Sequence, residues 1–451
     1  MNTPSIKLLA SADEPDGLIP SKPKDQGYPS YSQESFFKSV QWSADGTTLF
    51  TSSYSNRISS YVLPETLLEL HPEPLQLQPH STLILPESSS AIAPCPYFAL
   101  ENLSTQTILT ASTDHPIHLH YAFPAPPSED GVPDQPKPLA SFRLVKHETE
   151  AYLPIASLIW PAPGTHFVAG TTNLIALFDV SRPDAINSEP VMSIATIPST
   201  RHIRKGNGIG MRGAVAALAS QSREQGDAGL LAAGTWTRNM GLYDLQRAGD
   251  CVATWNVAEA AAEAGIGGMG VVQTTWSPCG RYLVVNERRS TGMLVYDIRV
   301  TNQLLAHLTG RDGETNQRLS CDVFPGTDAV GGFEVWAGTR TGGVVVYEGV
   351  GNEFGGVAPS WDWEAHGSAV GSAVMHMSGS VVATCSGSWV VPGEESESES
   401  SDGFDSSDDS SHEDSESESG RRRPFRVEET SLKVWNIGAS NPKTTEQTPE
   451  V

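Results

Sequence analysis

Short runs of alternating apolar and polar residues recur along the chain, and each closes on an aromatic or an aromatic–polar pair. They read SSYVLP at Tyr61, LHYAF at Tyr121, ALFDV at Phe178 and Asp179, GLYDL at Tyr243 and Asp244, LVYDI at Tyr296 and Asp297, VVYEG at Tyr347 and Glu348, and KVWNI at Trp435 and Asn436. A period of two is the mark of a strand with one covered face. Upstream of most endings lies a second element, an apolar strand, a turn and another strand, as in QWSADGTTLFTSS, IWPAPGTHFVAGT, TWSPCGRYLVVNE, VFPGTDAVGGFEVWAG and MHMSGSVVATCSG. Pro, Asp and Gly set these turns and β-branched or aromatic residues flank them, so they predict hairpins.

Seven endings predict seven units, each a small antiparallel sheet too small to be stable alone. A ring of them buries the faces between neighbours, so the fold class is all-β, a seven-bladed WD-repeat β-propeller over 35–437. The endings are 60, 57, 65, 53, 51 and 88 residues apart, against roughly 40–45 for such a repeat, so most blades carry loop insertions. Residues 1–34 form an N-terminal extension, in which Ile6 to Leu9 is the strand expected to close the ring as the outer strand of the last blade. VAEAAAEAG is the only helix-like stretch and reads as a loop turn between blades; 67–86 and 123–138 are Pro-rich and read as irregular connections.

The chain of 451 residues has a net charge of -24, which at first argues against nucleic acid. The charge is unevenly placed. The segment 394–419 holds 12 acids, 11 serines and no Lys or Arg, half of the total. With too little apolar surface to offset the entropy of ordering, 394–423, the Arg421, Arg422, Arg423 run included, predicts a disordered insertion within the last blade, and 438–451 a disordered tail. The insertion accounts for the longest interval between endings. Ser396, Ser406, Ser410, Ser411 and Ser415 each have an acid three residues on, the pattern acidophilic kinases use, and are candidate phosphorylation sites. The bland alternative is a solvating loop. Residues 201–343 instead carry 14 basic and 13 acidic residues, nearly all of the basic ones Arg. Guanidinium groups fork onto phosphates and stack on bases, so this locally neutral, Arg-rich stretch is the place for an anion site, with surface solubility and local ion pairs as the competing reading.

Other chemistry is weakly represented. The G-x-G-x-x-G matches at Gly208, Gly210, Gly213 and at Gly265, Gly267, Gly270 do not sit between a strand and a helix, the context a phosphate cradle needs. His118 and His120 share a strand face but lack a third ligand, and Cys95, Cys251, Cys279, Cys321 and Cys385 have no CxxC spacing, so reduced and mostly buried thiols are expected, with no metal and no cofactor. No basic n-region and apolar h-region open the sequence, and no run of 18 apolar residues occurs, so neither secretion nor a membrane is expected. No catalytic motif is present, and the reading is not an enzyme; a propeller hydrolase would need convergent acids or a metal in the central channel.

FFKSVQWSADGT, DHPIHLHYAF, TRNMGLYDL, GRDGETNQRLSCDVFPGT and VVATCSG followed by an acidic insertion occur in the order of related segments in the telomerase Cajal body protein family. The chain resembles that family over roughly 35–437, with TNQR at 315–318 as the most specific word. It departs from the animal members in a short N-terminal extension, different loops and blade endings that are mostly Tyr or Phe rather than Trp. The resemblance implies a non-catalytic scaffold that binds a loop of H/ACA-type small nuclear or Cajal body RNA, in animals also telomerase RNA, and acts in assembly, localisation or maturation of these particles. It implies H/ACA core proteins and other ribonucleoprotein assembly factors as partners, a monomer within a larger complex, and a nuclear location in nucleoplasm or nuclear bodies, with the cytoplasm as a further compartment. Arg238, Arg288, Arg289, Arg311 and Arg318 fall where the family pattern also carries basic residues, and Arg201, Arg204 and Lys205 where it has a basic pair. Together they form the expected RNA-binding face, since splayed bases are held by Arg and aromatic stacking. The alternative is a protein-only interaction hub or substrate receptor.

Overall fold

The computed structural model describes residues 4–14, 35–123, 137–181, 186–197, 210–221, 229–326, 330–390, 426–427 and 429–438. Seven antiparallel sheets of four core strands stand in a ring, their innermost strands being Phe37–Trp42, Ser89–Pro94, Ser157–Ile159, Val215–Ser220, Val271–Trp276, Cys321–Pro325 and Val370–Met375, here blades one to seven. This is a seven-bladed β-propeller. The aromatic endings close the third strand of their blades, or fall just short of its end in blades one, six and seven, and most are core residues: Tyr61, Phe178, Tyr243, Tyr296 and Tyr347 are buried, whereas Tyr121 is exposed. Seven apolar clusters hold the ring, one at each blade–blade junction. A lone blade would leave both faces wet, and the junctions supply the burial that no blade supplies by itself.

Blade seven is built from both ends of the chain. Ser5–Asp13 is its outer strand and pairs antiparallel with Ser431–Gly438, Leu8 opposite Trp435, with a bulge between Leu8 and Ala10. The same blade carries a WD-type relay: Trp435 Nε1 donates to Thr384 Oγ1 at 2.8 Å, Thr384 Oγ1 lies 2.7 Å from His366 Nε2, and His366 Nδ1 lies 2.9 Å from Ser431 Oγ. The acidic insertion falls between the second and third strands of this blade. The tract itself, with Ser396, Ser406, Ser410, Ser411 and Ser415, lies outside the described residues.

The long inserts have a structural use. Gly355–Val357 of blade six pairs parallel with Leu304–Leu308, the outer strand of blade five. Ile186–Ser188 of blade three pairs in the same way with Ala140–Phe142 of blade two, and Leu75–Gln76 of blade one with Ala10 and Ser11 of blade seven. Three inserts thus reach back to cover the exposed edge of the preceding blade, which would otherwise present unpaired backbone groups.

Several local expectations need correction. The Pro-rich 67–86 is not wholly irregular: Ser81–Ile84 is the outer strand of blade one, and Leu75–Gln76 is one of the edge covers. VAEAAAEAG forms a true six-residue helix, Ala258–Glu263, because its alanines favour helix and Ala261 packs into the junction of blades four and five. The expectation for the thiols needs no such change: three of the five, Cys95, Cys321 and Cys385, are buried, Cys251 and Cys279 are exposed, and all five are free. No helix among the described residues is long and apolar enough to cross a membrane.

Candidate nucleic-acid interface

In a four-stranded antiparallel blade the turn between second and third strands and the connection to the next blade leave on the same side. Every basic residue singled out from sequence lies in such a connection or at its edge. Arg238 sits in the turn of blade four, Arg288 and Arg289 in that of blade five, and Arg311 and Arg318 in the connection 308–321 from blade five to blade six. Arg201, Arg204 and Lys205 belong to the connection from blade three to blade four and lie outside the described residues.

The arginines on this face have different roles. Arg311 is buried, donating from Nε to Gly338 O at 2.9 Å, from Nη1 to Asn286 Oδ1 at 2.8 Å and from Nη2 to Leu319 O at 3.1 Å. It ties blades five and six to their connection and is out of reach of any ligand, which removes it from the RNA face. Arg238 is half committed. Its Nε and Nη2 donate to the two carboxylate oxygens of Glu287 at 2.8 and 2.6 Å, so its charge is cancelled within the protein. The glycine run 265–270 packs over this pair, and follows a helix rather than opening one: a Cβ on Gly268 would stand 1.9 Å from Glu287 Oε2. The run is a packing device with no phosphate cradle.

Arg288 and Arg289 remain available. The Arg288 guanidinium lies 5.7 Å from the ring centre of Trp236, which is 55% exposed although large and apolar, and the Arg288 Nε is buried with no hydrogen-bond partner among the described residues. Arg289 is exposed, in a left-handed conformation at φ 52°. An exposed indole with a guanidinium on it is a stacking platform for a base.

The word TNQR is explained residue by residue. Thr315 Oγ1 accepts from the Gln317 backbone N–H at 3.1 Å, and the Gln317 amide donates to Gly387 O of blade seven at 2.8 Å. The connection is thereby tied to blade seven, and Arg318 becomes part of the channel wall. Arg318 is solvent-accessible but walled in by protein. It makes no hydrogen bond or ion pair among the described residues, and burial and the nearby Arg288 charge lower its pKa.

Sequence reasoning missed Lys38, Tyr54, Trp236 and Trp389. Lys38 is the extra residue of a bulge between Phe37 and Ser39 on the innermost strand of blade one, which turns its side chain into the channel. Its Nζ donates to Ser89 O at 2.7 Å and lies 5.1 Å from the Tyr54 ring centre; burial, then the Arg318 charge, push its pKa down to about 8. Tyr54 and Trp389 meet Phe36 at ring separations of 4.4 and 5.3 Å and each other at 5.9 Å, forming an aromatic cluster in the blade one and blade seven turns. Aromatic residues next to turn positions, as in SSYSNR and GTWTRN, were the available signal. The channel cavity has a volume of about 350 Å³, lined by serine hydroxyls, Lys38, Arg318 and the carboxyl of Asp322. Burial pushes the Asp322 pKa up to about 6, and the carboxylate accepts from the backbone N–H groups of Met375 and Val323.

His118 and His120 do share a face, with ring centres 5.6 Å apart, and neither His120 ring nitrogen has a hydrogen-bond partner among the described residues. No group of three metal-ligating side chains occurs among the described residues.

No family model matches the sequence. The chain is 24% identical over 295 residues to the guanine nucleotide-binding protein negative regulator 1 of Schizosaccharomyces pombe, an alignment covering 64% of this chain and 66% of that protein. It is also 24% identical over 325 residues to Protein SWT21 of Vanderwaltozyma polyspora, covering 71% of this chain and 68% of that one. The chain thus spans about two thirds of the length of the relatives it matches. Repeat pattern, ring and relay together make it a WD-repeat propeller scaffold.

Proposed function

We propose that the protein is a non-catalytic RNA-binding scaffold whose cationic, aromatic face receives a single-stranded RNA loop, within the assembly, localisation or maturation of small nuclear or Cajal-body-type ribonucleoproteins. The observation that carries the reading is the exposed Trp236 ring beneath the Arg288 guanidinium, on the same face as Arg289. Bases of a splayed loop stack on such a ring while phosphates meet the guanidinium. The -24 of the whole chain disfavours bulk RNA, and a local patch of this kind still accepts a chosen loop. H/ACA-type RNA, its core proteins and a nuclear location rest on the family resemblance of the sequence segments.

The test is crosslinking and RNA sequencing with the full chain, comparing wild type with Trp236→Ala/Arg288→Glu/Arg289→Glu. Loss of recovered small nuclear RNA in a folded variant supports the reading; unchanged recovery overturns it. A second reading, a protein-only hub, is favoured by the name of the fission yeast relative, a negative regulator of a guanine nucleotide-binding protein. It predicts partners that survive ribonuclease treatment.

A further inference from the structure

Lys38 and Arg318 line one channel cavity with Arg288 near enough for the charges to interact, and no ion pair among the described residues neutralises any of the three. Three like charges with no ion pair among the described residues are costly in a place of reduced dielectric. Proteins cancel such charges unless something else will. The nearest acid in the cavity, Asp322, is held by backbone N–H groups of its own wall and bridges to neither cation. Arg318 offers five N–H donors in a planar fork with no acceptor, and Lys38 keeps two of its three ammonium hydrogens after serving Ser89 O. Ser39, Ser52, Ser320 and Ser372 add hydroxyls to the walls. Tyr54 lines the same cavity with Lys38 over its ring, and Trp389 packs beside it at a ring separation of 5.9 Å; they are 38% and 37% exposed.

A fork, an ammonium and hydroxyls lining one cavity beside aromatic rings are complementary to a phosphate carrying a base. We infer that the central channel is a nucleotide site: the phosphate of a nucleoside monophosphate unit sits between Lys38 and Arg318, and its base packs on Tyr54 and Trp389. The cavity volume, about 350 Å³, falls at the small end of ordinary ligand pockets. A cavity of about 350 Å³ holds about one nucleotide, too little for the middle of a strand together with its two neighbours. The unit is therefore a free nucleotide or the phosphorylated terminus of an RNA. The second source deepens the RNA-scaffold reading and rests on it; the first does not.

The experiment measures binding of the full chain to adenosine monophosphate, to adenosine, and to a short single-stranded RNA with a 5′-phosphate, a 3′-phosphate or neither. The site requires adenosine monophosphate, or one phosphorylated RNA end, to bind roughly tenfold or more tightly than its unphosphorylated counterpart, the worth of a charge-assisted pair. Arg318→Gln removes the preference, and Lys38→Met removes it while leaving the binding of unphosphorylated RNA as it was; Trp236→Ala weakens every RNA and leaves adenosine monophosphate unaffected. Preference for the mononucleotide without any RNA binding keeps the channel site and sinks the RNA reading. RNA binding indifferent to end phosphates, with no mononucleotide binding, or a preference that survives Arg318→Gln in a folded variant, overturns the channel site.

Discussion

The Glu287 carboxylate, with only 3% of its side chain accessible, is gripped at both oxygens by Arg238, which reaches it from the neighbouring blade. An ion pair this close to water-free is expensive to make and more expensive to break, because the survivor is left charged and buried. Burial alone pushes the Glu287 pKa up, and the two Arg238 donors act against it. Arg238→Ala is therefore expected to cost about 3 kcal/mol of stability, with Glu287→Gln costing less because an amide still accepts from the guanidinium. Equilibrium denaturation of the two variants checks this, and equal losses would refute it. Gly268→Ala attacks the same pair from above, so combining it with Arg238→Ala should give much less than the sum of the two losses.

Arg311 and Arg318 lie seven residues apart in one connection and make opposite predictions. Arg311→Met strands the carbonyls of Gly338 and Leu319 and the Asn286 amide in the interior, and is expected to lower the thermal midpoint by several degrees, in line with about 1–3 kcal/mol for each stranded group. Arg318→Gln removes a charge that repels Lys38 and Arg288 and breaks no hydrogen bond described here, so its midpoint should be unchanged or higher. A thermal melt of each is decisive; a fall for Arg318→Gln equal to that of Arg311→Met would mean that Arg318 is structural.

Acid should loosen blade two through His120. Burial first, and the His118 ring second, push the His120 pKa down from 6.5 to about 4. Between those values the unfolded chain takes up a proton that the folded chain refuses. The contribution to stability is therefore whole above pH 6.5 and is lost as the pH falls toward 4, by about 3 kcal/mol in all. His120→Phe removes the proton site, so wild type and variant compared by denaturation at pH 7 and pH 4.5 should differ in their acid sensitivity. Parallel losses would place the acid effect elsewhere.

Closure of the ring depends on the outer strand of blade seven. Leu9, Ala10 and Ala12 are buried in the cluster shared by blades seven and one. Deleting residues 1–13 exposes that cluster and the Trp435 edge. The truncated chain is expected to lose its sharp thermal transition and to be cut by protease at blade seven; an unaltered melt would show that closure does not need this strand.

Much of the architecture was readable because most blade endings share a local pattern, an aromatic residue near the end of a third strand turned into the core, as Tyr61, Phe178, Tyr243, Tyr296 and Tyr347 are; Tyr121 is the exposed exception. The site was only half readable. Residue type placed Arg238, Arg288, Arg289, Arg311 and Arg318 in the connections of one face, but type says nothing of who holds a charge. Glu287, a strand-end acid of unremarkable context, cancels Arg238, and three neutral oxygens swallow Arg311. Lys38 escaped notice because its orientation comes from a bulge, which depends on pairing between strands and leaves no pattern in a single strand. The outer strands were faint for a related reason: Ser81–Ile84 and Ala140–Phe142 are short and lean on one neighbour, so their sequences carry little periodicity.

The three parallel edge covers make the seven junctions unequal. Blades seven and one, two and three, and five and six are each clasped from outside by a strand lent across the boundary, which leaves three clamped couples and, among the described residues, blade four single between them. Strain applied to such a ring concentrates at the unclasped seams, so the molecule should breathe as four bodies and not as seven. Blade four, which presents Trp236, is then the freest to tilt, and the Arg238–Glu287 pair is the one ionic hinge-pin that keeps its turn registered against blade five.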